Sequence, residues 1–194
     1  MHRSSSQRFV VVVPGMQFGP HVPVLAYASR AAAVRAAQVL PLSWQPPKGR
    51  SSLDLAPWVV DQVNLVLDKL AAARPGAVPL LIGKSLGSHA APVAVERGLP
   101  AIWLTPLLQQ EPVVTALAKS NAPFMLVGGT GDPAWDGSVA RRLTPHVVEV
   151  ENADHGMWVP GALTDSALVL GTIGRAVESF LDEVIWKVPA ETRS

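Results

Sequence analysis

The chain has 194 residues, 48% of them hydrophobic and 16% charged, which suits one folded domain with a sizeable core and excludes a disordered chain. A formal net charge of +1, without any basic run, provides no field for nucleic acid or for an acidic lipid surface. Cysteine is absent, which excludes disulfides, a thiolate nucleophile and a cysteine zinc site.

Residues 1–7 read as a loose polar tail on a single domain spanning 1–194. The uninterrupted run Phe9 to Val13 has the pattern of a strand buried on both faces, and Pro14-Gly15 ends it. That run is too short for a signal-peptide core, and no apolar stretch reaches the length of a bilayer, so a soluble cytoplasmic protein is expected. A glycine-bearing loop, Met16 to His21, leads to Pro23, a residue suited to a first helical turn. The alanine-rich stretch Val24 to Val39 reads as a helix with Arg30 and Arg35 on its wet side. Leu40 to Gln45 is expected as a short strand, ended by Pro46-Pro47. Asp54 is placed to cap the next helix, whose apolar stripe is Val59, Val63, Val66, Leu67 and Leu70.

Val78 to Ile82 is a third strand, and it ends abruptly at Gly83. Ser85 follows two residues later, then Gly87, then the helix-friendly run from Ala90 to Val95. Strand, tight turn and helix place Ser85 at an apex that projects its hydroxyl clear of a sheet. Further strands are expected at Pro100 to Leu104, Phe124 to Val127 and His146 to Val150. Helices are expected near Val113 to Lys119 and Asp136 to Leu143. A long final helix, Asp165 to Lys187, has Gly171 and Gly174 suited to close packing on the sheet.

Short apolar strands that alternate with helices predict an α/β fold: a doubly wound three-layer sandwich around a mostly parallel sheet. In such a sheet every strand's C-terminal end opens on one edge, where ligands bind. Three reactive side chains follow strands directly: Ser85, Asp132 and His155. Asp136 is the rival to Asp132, but it lies at a helix start and reads as an N-cap. Asp154 reads as a loop former, His89 as structural or surface, His21 as solvated, and Lys84 as a charge at the pocket edge. The spacing of Gly83-Lys84-Ser85 is not that of a nucleotide-binding loop, and no cluster has metal-ligand spacing, so no cofactor or metal is expected.

The order Ser, Asp, His and three motifs resemble the α/β-hydrolase superfamily. The motifs are Gly83-Lys84-Ser85-Leu86-Gly87, Gly128-Gly129-Thr130-Gly131-Asp132-Pro133 and Asn152-Ala153-Asp154-His155-Gly156. The resemblance spans Phe9 to about Lys187 and implies a minimal form of that fold. Two early strands common in the family have no counterpart here, which implies a six-stranded sheet in the order 2-1-3-4-5-6. It further implies Ser85 as nucleophile, His155 as general base and acid, and Asp132 as the group that orients the imidazole. The backbone N–H of Leu86 would be one oxyanion donor, with Met16 or Gln17 as the second. The family's usual lid lies between the fourth and fifth strands of this chain, and Thr105 to Ala122 leaves room for a short flap at most. Trp103, Trp135 and Trp158 are candidates to line an apolar acyl pocket. The expected partner is a small ester or thioester, with neither nucleic acid nor membrane. Acyl transfer and a non-catalytic binding role are the alternatives.

Overall fold

The computed structural model describes residues 7–17 and 19–187. The expected N-terminal tail lies outside them apart from Gln7. Six parallel strands form one sheet: β1 (Arg8–Val13), β2 (Ala37–Pro41), β3 (Leu80–Lys84), β4 (Ala101–Leu104), β5 (Phe124–Gly129) and β6 (Val147–Val150). Their spatial order is β2-β1-β3-β4-β5-β6, as expected from the sequence. Among the described residues six α-helices cover the sheet: α1 (Pro23–Ala33), α2 (Ala56–Ala73), α3 (Ala91–Glu96), α4 (Glu111–Ala118), α5 (Gly137–Leu143) and α6 (Leu163–Phe180).

Alternation along the strands divides the core in two. Val11, Val13, Leu81 and Trp103 face the layer that holds α2, α3 and α4, whereas Val10, Val12, Ile82 and Leu104 face α1 and α6. β1, β3 and β4 are buried on both faces, which is why their sequences are continuous apolar runs. Among the described residues no helix is long and apolar enough to cross a membrane.

Several boundaries differ from the sequence reading. The alanine-rich helix stops at Ala33, and Ala36 adopts φ +59°, so that Ala37 can pair with Arg8 in the sheet. The second strand therefore occupies 37–41, and the loop beyond it starts earlier than expected. Arg35 is not on a wet face: its guanidinium makes paired bonds of 2.6 and 2.8 Å to Asp182 and one of 3.1 Å to Glu178. Asp54 does not cap α2; its carboxylate accepts from the N–H and hydroxyl of Ser51, three residues back. Gly171 and Gly174 face away from the sheet, into a groove beside Tyr27 and Arg30 of α1. The final helix becomes a π-helix over Leu181–Ile185.

Candidate active site

Ser85 follows β3 directly and opens a 3-10 helix, Ser85–Ala90, that passes into α3 at Ala91. Pro92 lies in the first turn of α3, where its missing N–H is tolerated. The backbone of Ser85 has φ +51°, a left-handed conformation that costs a non-glycine residue about 1–3 kcal/mol. The flanking glycines make this turn possible. A Cβ on Gly83 would lie 2.5 Å from the Trp103 ring, and one on Gly87 would lie 2.5 Å from the carbonyl oxygen of Val13. Gly87 thus lets the end of β1 close against the 3-10 helix and brings the loop after β1 beside Ser85.

The sheet edge gathers the three candidate residues. His155 Nε2 lies 2.7 Å from Ser85 Oγ, and His155 Nδ1 lies 2.7 Å from Asp132 Oδ2. The side chain of Asp132 is 1% exposed, and that of His155 is 39% exposed, so the imidazole has one side open to solvent. With the carboxylate ionised, Nδ1–H donates to it and Nε2 is left to accept from the serine hydroxyl. The N–H of Ala134 donates to the other carboxylate oxygen at 2.9 Å and fixes its plane. Asp136 takes the N-cap of α5 instead, accepting from the N–H groups of Ser138 and Val139. Those bonds, led by the Ser138 hydroxyl, hold its carboxyl below the usual range.

The loop that carries His155 is built locally. Asp154 Oδ1 accepts from the N–H groups of Gly156 and Trp158, and the Asp154 N–H donates to the Trp158 carbonyl. Asp154 is therefore a loop former, and it orients the base without touching its ring nitrogens.

A cavity of about 660 Å³ opens at the serine. Its walls include Gly15, Met16, Gln17, Val22, Pro23, Lys84, Ser85, His155 and Trp158. Met16 and Gln17 thus lie where the loop after β1 meets the nucleophile. Trp44 holds that loop by donating from Nε1 to the Gly15 carbonyl at 3.1 Å. Leu86 is fully buried at the start of the 3-10 helix.

Of the three tryptophans expected in a pocket, Trp158 alone is in this wall. Trp103 is 0% exposed and packs under Gly83 on the opposite face of the sheet. Trp135 packs against Gly128 and donates from Nε1 to Glu149 at 2.7 Å. Both are scaffold: strand alternation turns the Trp103 ring toward the α2–α4 layer, and the loop after β5 folds the Trp135 ring onto the same layer. The interval between β4 and β5 also contributes nothing to the cavity wall. Its helix, α4, packs Val113, Ala116 and Leu117 into the core.

Lys84 is the residue whose place was least foreseen. It borders the cavity, as expected, but it is buried, and its Nζ donates to Thr105 Oγ1 and to the His155 carbonyl, each at 3.0 Å. Desolvation pushes its pKa down to about 8, against the pull of Asp132 and Asp154. A signal was present: Gly83 faces one layer, so the next residue of the strand must face the other. His89 is likewise buried, and loss of solvent lowers its pKa. Among the described residues no group of three or more His, Cys, Asp or Glu side chains is placed to hold a metal ion.

No protein-family model matches the sequence, and no curated protein matches it significantly. Solved structures do match. An α/β serine hydrolase homologue from Coxiella burnetii superposes with a TM-score of 0.67 at 14% identity, over 91% of this chain and 85% of that one. A dienelactone hydrolase from Anabaena variabilis gives 0.65 at 18% identity, over 92% and 87%. A serine hydrolase without a lid from Xanthomonas campestris gives 0.62 at 16% identity, over 93% and 85%. With the parallel sheet in the order 2-1-3-4-5-6 and helices on both faces, the chain has the α/β-hydrolase fold.

Proposed function

We propose that the protein is a serine hydrolase that cleaves a small carboxylic ester or thioester through an acyl-enzyme. The observation that carries this reading is the position of His155, 2.7 Å from both Ser85 Oγ and Asp132 Oδ2 at the rim of a cavity. In the reaction, Ser85 Oγ attacks the acyl carbon while His155 Nε2 takes its proton. The same proton then passes to the leaving oxygen or sulfur, and the acyl group stays on Ser85. Water, activated by His155, releases the acid in the second half. Asp132 holds the imidazole in the working tautomer and stabilises the imidazolium. The backbone N–H of Leu86, with that of Met16 or Gln17, would receive the negative oxygen of the tetrahedral intermediate. Met16, Val22, Pro23 and Trp158 offer an apolar wall to the acyl or alcohol group. The fold's likeness to a dienelactone hydrolase adds support for ester-type chemistry.

A fluorophosphonate probe tests the reading. Labelling at Ser85 is expected in the native chain and absent in Ser85→Ala. Turnover of p-nitrophenyl acetate should fall on the order of 10⁴-fold or more in that variant. A native chain that takes no label at Ser85, or a Ser85→Ala variant that turns over at the native rate, refutes it.

A further inference from the structure

We propose that Lys84 is a positioning residue for the base: a buried cation that ties the His155 loop to the strand end carrying Ser85. The inference rests on the serine-hydrolase reading of the site. Its ground is geometric. His155 belongs to neither a strand nor a helix; β6 ends at Val150 and α6 begins at Leu163. The loop between them has left-handed backbone at Asn152 and Met157, on either side of the base. Asp154 braces this loop from within. Lys84 braces it from outside, by donating to the carbonyl of His155 itself at 3.0 Å. Because Lys84 and Ser85 are adjacent, this bond sets the distance between nucleophile and base directly. The second bond, to Thr105 Oγ1 at 3.0 Å, fixes the ammonium against the end of β4.

An ammonium is costly to bury without compensation. Lys84 is 8% exposed, and the charged and titratable groups around it are Asp132, Asp154 and His155. Asp132 is the more deeply buried carboxylate, so the lysine offsets a negative charge that the site must keep. At neutral pH the group remains protonated, since burial takes its pKa only to about 8.

Lys84→Met keeps the stem and removes the charge and the donors. The expected result is a fall in kcat on the order of 10- to 100-fold with KM within about threefold. Denaturant stability of Lys84→Met near neutral pH should not fall below that of the native chain, which separates lost positioning from lost folding. Lys84→Arg restores a cation with donors and should recover most of the lost kcat. A Lys84→Met variant with native kcat, or a Lys84→Arg variant no more active than Lys84→Met, overturns the proposal. Thr105→Val removes one acceptor of the ammonium and should lower kcat several-fold; native turnover there overturns the clamp even if Lys84→Met does not fold. Probe labelling separates the two readings. No label on native Ser85 removes the hydrolase reading and this inference with it, whereas a labelled native chain with native kcat in Lys84→Met removes this inference alone.

Discussion

Lys84 also has a thermodynamic signature that is independent of catalysis. Its pKa falls from 10.5 in the unfolded chain to about 8 in the folded one, chiefly through desolvation. Between those values the unfolded chain holds a proton that the folded chain has released. Stability from this group therefore rises as pH climbs from about 8 to 10.5, and below that window the full penalty of a buried cation is present. Relative to Lys84→Met, which has nothing to titrate there, the native chain should gain on the order of 3 kcal/mol across the window. Urea melts of both proteins at a series of pH values measure this; a constant difference between them would contradict the burial of the charge. Ser85 illustrates a different kind of cost at the same scale. Its φ of +51° is held by β3 on one side and by the 3-10 helix on the other, and Gly83 and Gly87 supply the room.

At the level of elements, the ends of strands and helices do most to place the site. β3 brings Ser85 and Lys84 to the edge, while the loops after β1, β5 and β6 bring the cavity wall, Asp132 and His155. The helices hold these strands in register, and α1 and α6 do so partly through Arg35. Its bidentate bond to Asp182 joins the end of α1 to the π-helix after α6, with both side chains 17% exposed. The carboxylates raise the Arg35 pKa further, the Asp182 bond first among the causes. Arg35→Met should cost about 1–3 kcal/mol in a denaturant melt and leave probe labelling of Ser85 unchanged. A variant within about 0.5 kcal/mol of the native chain would show that the pair only breaks even against its desolvation.

Taken as a whole molecule, stability should be graded across the sheet. β1, β3 and β4 are enclosed by neighbours on both edges and by helices on both faces, whereas β2 and β6 each have one free edge and are only partly buried. Native-state hydrogen exchange should therefore be slowest in β1, β3 and β4 and clearly faster in β2 and β6. Equal protection across all six strands would refute this ranking. The same architecture explains which expectations survived. Strand identity was legible because a strand buried on both faces is written as a continuous apolar run and parallel strands need helical crossovers, whereas the strand order came from the family resemblance. The end of α1 was not, since nothing in the alanine run marks Ala36; the turn there is imposed by the pairing of Ala37 with Arg8. Trp103 and Trp135 look alike in sequence to Trp158, all three being near strand ends or in the loops of the candidate residues, and the side of the sheet on which a ring falls settles its role.

By itself, then, the sequence determined the α/β architecture and named Ser85, Asp132 and His155, because periodicity and local turn chemistry are properties of neighbouring residues. Only the tertiary structure decided their mutual distances, the cavity wall and the burial of Lys84. Those depend on which loops the parallel sheet brings to one edge, and that juxtaposition joins residues as far apart in the chain as Ser85 and His155.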